Sequence, residues 1–482
     1  MSLSRALISG TSQLMFGAGI VRLCSIVSMP ILTYLLSPQA YGAAALVSTV
    51  ISLVSVFGGV GIEMSYARAY HSAQPPSGAS VERFCWRFAA LGAFTASWSG
   101  AVVWWLITKD FIDLDRRLAV LVALGVLLSG AEAMAQTRAR LSGRYRAMSL
   151  ANIVNGIIGV AGSIGIAFLW RQDALALLLP PFLGCVISVL MLGTPSTKEL
   201  LKPSGLNRKE GANLIKIGLA GVVTSPMYWL VSSSDRWFLQ HYHGANTVGT
   251  YSLGFSVAIF GMLVNNAVMS VWLPEAAREF EQNPERARVT LGRLMDRLIV
   301  LMALTWLAVT AAGGDIVRWL ADERFHAAAG FVPYIAGGVF FYGVLHLANA
   351  ILLLAKKLNW AALWWLAGGL ICTVLNIALV PKYDGVGAAI TQCASFGLIS
   401  LAIFATAQFY LRLHFDSSRL LTALAIVLSV GILLTPSWHG IAPISLFMKL
   451  PVGMTIALIV TWLMAPEWCI KGISYLRRWA VT

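Results

Sequence analysis

Charge is scarce in this chain of 482 residues: Asp, Glu, Lys and Arg make up 12%, against 58% hydrophobic residues. A soluble globule of that size needs more polar surface to face water, so the composition excludes one. Mean hydropathy is +0.75, as expected of a chain solvated mainly by lipid. Acids are the scarcer sign, 21 against 35 Lys and Arg, for a net charge of +14. Cysteine is sparse as well. Cys24, Cys85, Cys185, Cys372, Cys393 and Cys469 show no paired spacing and none falls on a predicted outer loop, which argues against disulfides and a metal site. No Gly-x-x-x-x-Gly-Lys-Ser/Thr loop is present, which excludes P-loop ATP-driven transport. Long polar segments are missing too. None is large enough for a nucleic-acid-binding domain, and the longest outer loop, about 14 residues, is too short for an enzyme that polymerises or ligates lipid-linked glycans.

What fills the chain is a series of about fourteen apolar stretches, each long enough to cross roughly 30 Å of hydrocarbon as a helix. They fall near residues 14–36, 41–62, 87–107, 118–136, 148–170, 175–193, 214–234, 248–272, 297–313, 328–355, 360–380, 387–409, 420–437 and 449–466. The fold class is therefore an all-α polytopic membrane protein. Span 1 follows Arg5 but is long and lacks a small-residue cleavage site, so it reads as a retained helix. With both termini cytoplasmic, about 25 Lys and Arg lie in cytoplasmic segments, about 9 outside, and Arg22 alone in a membrane interior. Segment 137–147 carries Arg138, Arg140, Arg144 and Arg146, whereas the short turns at 37–40 and 381–386 are nearly free of base. The charge reads as topology, with some attraction to anionic lipid. Trp104, Trp105, Trp319 and Trp438 near outer ends, and Trp86, Trp272 and Trp479 near inner ones, read mostly as interfacial anchors. Residues 275–296 mix acids and bases at helical spacing and predict an amphipathic helix on the cytoplasmic face.

A repeat is visible. Gly125-Val126, Gly130 and Gln136 in span 4 recur at the same spacing as Gly338-Val339, Gly343 and Asn349 in span 10. Span 2 opens on Tyr41-Gly42 and span 8 on Gly249-Thr250-Tyr251-Ser252. Two six-helix halves follow. An even number of spans per half makes the repeat parallel, about an axis along the membrane normal, a layout in which rocking lobes open a seam to either side. Residues 1–205 would form the N-terminal lobe, 206–415 the C-terminal lobe, and 416–482 an appended helix pair with a cytoplasmic tail.

These phrases resemble the Wzx-type polysaccharide repeat-unit flippases, of the MOP exporter superfamily that also holds lipid II flippases and MATE drug exporters. Arg22, Ser25, then Pro30-Ile31-Leu32-Thr33-Tyr34 to Ser37-Pro38 and Tyr41-Gly42 is similar to the family's opening. So are Gly59-Val60-Gly61-Ile62 before Arg68, Asp235-Arg236 before Gly249, Trp272-Leu273-Pro274, and Asn376 through Val380-Pro381 to Tyr383, Gly385 and Gly387-Ala388-Ala389. The likeness runs from Gln13 to Gln408. It implies a MATE-like fold, a bacterial inner-membrane location, and transport of undecaprenyl-diphosphate-linked oligosaccharides to the periplasmic leaflet by alternating access, with polysaccharide polymerase or ligase machinery as partners. No catalytic step or cofactor is implied beyond a coupling ion, H⁺ or Na⁺.

The candidate site residues follow from what such a cargo needs, because an unpaired charge in hydrocarbon costs several kcal/mol. Arg22, roughly two turns into span 1, suits the diphosphate by its forked guanidinium, or else snorkels to the interface. Lys216 in span 7 is a second cavity cation or an interfacial lysine. Glu132, Gln136 and Arg140 share one stripe of span 4 and would bind sugar hydroxyls or a coupling cation, or tie helices together. Tyr342, His346 and Asn349 share a face of span 10, where His346 either titrates in a coupled cycle or is structural. Asp235 and Arg236 are an outer gate element or a local cap, and Asn265 and Asn266 line the seam or pack. A MATE-like cation exporter would place carboxylates in its lobes, and only Glu132 is well inside. A lipid II flippase shares the diphosphate and stays open as an alternative.

Overall fold

The computed structural model describes residues 3–71, 78–109, 111, 114–222 and 224–464. Among them every long element is helical. In chain order these are α1 Leu3–Leu35, α2 Pro38–Gly59, α3 Ile62–Ala69, α4 Gly78–Ile107, α5 Ala119–Leu141, α6 Tyr145–Leu169, α7 Ala174–Leu192, α8 Thr197–Leu201 and α9 Arg208–Val222. They continue as α10 Thr224–Ser233, α11 Asp235–His243, α12 Ala245–Ala258, α13 Gly261–Gln282, α14 Pro284–Leu320, α15 Val332–Leu354, α16 Leu358–Tyr410, α17 Ser417–Leu434 and α18 Ala442–Met464. Many large apolar side chains face outward, among them Leu370, Val374, Leu401, Phe409 and Met454, each more than half exposed. Lipid tolerates such a surface and water does not, and the protein is a multi-pass membrane protein.

Among the described residues, eleven helices are long and apolar enough to cross a membrane, or twelve if α12 and α13, bent by 45°, count as one. Reaching the fourteen spans of the sequence takes two further steps. The 53-residue α16 must count twice, on either side of Asp384 with its φ of 53°, and α9 with α10, which flank residue 223 outside the described residues, must count once. The predicted amphipathic helix over 275–296 is not a separate element. The chain breaks at Asn283, whose side chain accepts the Arg286 N–H at 3.1 Å while Pro284 opens α14. An N-cap followed by proline at the first helical position starts a new helix, so acids and bases on both sides belong to the ends of α13 and α14.

By packing, the chain divides into two compact units, Met1–Ser252 and Leu253–Thr482. In the first, α2 begins where Ser37 caps it and accepts the Ala40 N–H at 3.2 Å, and it ends on left-handed Val60 and Gly61. α2 and α3 are fastened to α9–α12 at three depths, which is why residues 206–252 group with the first unit although the repeat puts a division near 205. At one end Gly42 and Gly249 let backbones touch: a Cβ on Gly42 would lie 1.9 Å from Ala245 O, and one on Gly249 1.8 Å from Pro38 O. Midway, Thr49 receives two indoles, Trp229 Nε1 donating to its carbonyl at 2.8 Å and Trp237 Nε1 to its hydroxyl at 3.0 Å. At the other end Ser65 Oγ donates to Leu214 O at 2.6 Å, and Gly61, at φ +64°, packs on Gly218.

In the second unit α14 is the central element, and the α17–α18 hairpin packs on it through Leu307, Val427, Leu434 and Val460. Three of the tryptophans expected as interfacial anchors are core residues instead. Trp86 is buried in the cluster that holds Tyr66 and Met134. Trp104 is fully buried with Nε1 donating to Asp115 O at 3.1 Å, and Trp272 with Nε1 donating to Leu347 O at 3.2 Å. A buried indole N–H needs an acceptor, and these last two have found a backbone carbonyl. Trp105, Trp319 and Trp438 are exposed as expected, and Trp479 lies outside the described residues. Five cysteines are free thiols; Cys469 also lies outside the described residues.

Candidate functional site

Two groups of polar residues lie within the apolar helices of the first unit. Arg22 sits in α1, half-buried, and makes no hydrogen bond or ion pair among the described residues. Its depth follows from how α1 lies on α6. Gly17 meets Ser149, with a Cβ position 2.6 Å from Ser149 Oγ, and Val21 Cγ2 is 2.6 Å from where a Cβ on Gly156 would be. Small residues at these points let the two helices approach closely. Arg22 therefore stands at the level of Asn155 and Gly156.

At that level α5, α6 and α7 close around Glu132. Asn155 Nδ2 donates to Glu132 Oε1 at 3.2 Å, and Cys185 Sγ donates to Oε2 at 2.7 Å. Gln136 Nε2 reaches Glu132 Oε1 and Asn152 Oδ1, both at 3.4 Å. Glu132 and Gln136 are half-buried, as their shared stripe requires. Arg140, one turn further, is exposed and faces Glu63 of α3 instead. Burial pushes the Glu63 carboxyl above its ordinary range, and Arg140 offsets part of that. Beside them Tyr66 OH donates to Glu82 Oε1 at 3.0 Å, and Arg138 Nε pairs with the same oxygen at 2.7 Å.

The other candidates are dispersed. Lys216 is exposed on α9. Asp235 and Arg236 are both buried, their ion pair 3.3 Å long, with Tyr251 OH donating to Asp235 Oδ2 at 2.5 Å and Arg236 also donating to Ser232 O. In the second unit Asn265 is buried and donates to Val339 O at 2.8 Å, joining α13 to α15, whereas Asn266 is exposed. His346 packs edge-on against Tyr342, centroids 4.4 Å apart. Asn349 is half-buried, and its Oδ1 lacks a hydrogen-bond partner among the described residues. No cluster of His, Cys, Asp and Glu suited to a metal ion occurs among the described residues.

Sequence reading missed the donors that surround Glu132, because Asn152, Asn155 and Cys185 sit on two other helices and only packing brings them together. It also missed a buried ion pair in the second unit. Lys449, inside α18, lies 2.7 Å from Asp315 of α14, with side chains 2% and 0% exposed. Asp315 also accepts from Ser445 Oγ at 2.9 Å and pairs with Arg318 at 3.5 Å. A second membrane-interior cation therefore joins Arg22, and it was legible only as a lysine at the edge of an apolar run.

Comparison with known proteins bears on the whole arrangement. A family model described as "Polysaccharide biosynthesis protein" matches residues 31–328, more than half of the chain. No curated protein matches the sequence significantly. Among solved structures the chain is similar to the lipid II flippase MurJ in an inward closed conformation, with TM-score 0.71 and 12% identity, covering 94% of this chain and 99% of that one. It is also similar to a point mutant of the Vibrio cholerae MATE transporter VcmN, with TM-score 0.56 and 13% identity over 85% and 97% of the two chains. A MOP superfamily transporter from Pyrococcus furiosus, described as having a binding pocket of reverse polarity that suggests a different function, gives TM-score 0.59 at 11% identity over 87% and 96%. At these identities the likeness is one of fold.

Proposed function

The chain belongs to the polysaccharide biosynthesis protein family, and from that premise we propose that it flips undecaprenyl-diphosphate-linked oligosaccharide repeat units across the bacterial inner membrane. The cargo moves from the cytoplasmic to the periplasmic leaflet by alternating access of the 1–205 and 206–415 lobes, with both termini cytoplasmic. No covalent step is involved. The observation that carries the reading is Arg22, a half-buried guanidinium inside an apolar span with no partner among the described residues. An unpaired cation at that depth is costly unless something else compensates it, and a diphosphate is the ligand that a guanidinium fork fits. The drive comes from an ion gradient, H⁺ or Na⁺, or from removal of the product by polysaccharide polymerase or ligase partners.

Lipid II flipping is the second reading, supported by the fold shared with MurJ. Both cargoes present the same diphosphate to Arg22, so the residues in hand favour neither sugar. A MATE-like exporter of organic cations is less well supported, because the one carboxylate at the Arg22 level, Glu132, is already occupied by neutral donors. Deleting the gene and extracting undecaprenyl-diphosphate glycans by leaflet tests the proposal. Complete repeat units trapped on the cytoplasmic leaflet are expected and would identify the sugar. Lipid II trapped there would select the second reading, and no accumulation would overturn both.

A further inference from the structure

We infer that the turn between α15 and α16 holds an anionic phospholipid, with its phosphate on Lys356 and Lys357 and its acyl chains on the outer face of α16. The site goes beyond the flipping reading and stands independently of it. Lys356 follows the end of α15 in the left-handed region, at φ 57°. The Lys357 N–H donates to Leu352 O at 2.9 Å and the Lys356 N–H to Leu353 O at 3.0 Å, a helix ending that ordinarily places glycine where Lys356 stands. A lysine there is strained, and what it contributes in return is a second ammonium beside Lys357.

Both lysines are exposed, and neither has an ion pair among the described residues. Elsewhere in the same unit Arg278, Arg288 and Arg419 each find a carboxylate. Here the sequence supplies none: between Glu323 and Asp416 the only acid is Asp384, where α16 reverses, far along the helix from its ends at Leu358 and Tyr410. Tyr410 organises the corner. Its ring centroid lies 5.1 Å from Lys357 Nζ, and its hydroxyl accepts Trp360 Nε1 at 2.8 Å. One layer further in, Trp364 Nε1 donates to Thr406 Oγ1 at 2.8 Å, so the two arms of α16 are tied together where the charge sits. Trp360 is exposed and heads a helically spaced stripe with Leu363, Leu370 and Val374, all exposed and apolar. Two unpaired ammonium groups at the head of such a stripe, with Trp and Tyr between, match a headgroup phosphate above acyl chains. A free phosphate would make no use of the stripe.

The test titrates the full chain in detergent with phosphatidylglycerol or phosphatidylcholine of the same acyl chains, counting retained lipid by native mass spectrometry and following folding by thermal unfolding. Wild type should retain one phosphatidylglycerol in preference to phosphatidylcholine. Lys356→Gln with Lys357→Gln should weaken that binding about tenfold and abolish the preference, with the unfolding temperature kept. Lys356→Gly tells a ligand role from a structural one. Glycine relieves the turn, so the unfolding temperature should hold or rise while phosphatidylglycerol binding falls. Lys198→Gln with Lys202→Gln, two exposed lysines at α8, controls for general attraction and should leave binding unchanged. Wild-type binding by the Lys356, Lys357 pair, an equal loss in the α8 pair, or release of the lipid by excess inorganic phosphate overturns the inference.

Discussion

Asp315 of the second unit and Arg22 of the first carry buried charge in opposite ways. In Leu253–Thr482 Lys449 lies on Asp315 at 2.7 Å, with Ser445 and Arg318 as the carboxylate's further partners. In Met1–Ser252 Glu132 is surrounded by neutral groups, and Arg22 at the same level has no partner among the described residues. A quenched pair fixes structure: it fastens α18 to α14 and asks for nothing further. An unquenched cation in hydrocarbon is expensive to keep and calls for a ligand. The contrast separates a fastening from a binding group by partners alone.

The largest stability effect should come from breaking the fastening. Asp315→Ala leaves Lys449 buried and unpaired, at a cost of about 3–5 kcal/mol, and thermal unfolding should fall accordingly. Replacing both, with Asp315→Leu and Lys449→Met, should come close to neutral in stability. A double variant as unstable as the single one would show that the pair is more than a fastening. Arg22→Ala should do the reverse, with unfolding temperature unchanged or raised and glycan export lost while protein level is maintained.

A smaller effect is expected where backbones cross. Gly249→Val drives side-chain atoms into the Pro38 carbonyl and should cost about 1–3 kcal/mol as overpacking, read as a lower unfolding temperature. The smallest effect concerns Glu63, whose carboxyl is held above its ordinary range by burial. Its native form binds a proton more readily than its unfolded form, so this contribution is present at low pH and declines as pH rises from the ordinary carboxylate value through the raised one. Glu63→Gln should flatten that part of the pH dependence of unfolding.

Hydropathy made the helices legible, since a lipid-facing helix announces itself by composition, and most spans fall within a few residues of an observed helix. What it obscured were breaks inside apolar segments. The span over 248–272 is divided between α12 and α13, bent by 45° at a break just before Gly261 that no charged residue marks. The break at Asn283 was readable, because Asn followed by Pro is a cap signal, but the alternating charges around it suggested one continuous helix. The site was legible as single residues and not as contacts. Glu132 and Gln136 share a stripe by spacing alone, whereas Asn155, Cys185 and the Lys449 pair need helices far apart in sequence to meet. Arg140 left the stripe because one more turn carries it out to Glu63 at the helix end.

The most direct test of the central claim is flipping in sealed proteoliposomes. Labelled undecaprenyl-diphosphate oligosaccharide is placed in one leaflet and its appearance in the other is followed for wild type, Arg22→Ala, and the Asp315→Leu, Lys449→Met pair. Flipping by wild type and the pair, with none above protein-free vesicles for Arg22→Ala, is the predicted result. Equal flipping by Arg22→Ala and wild type would contradict it.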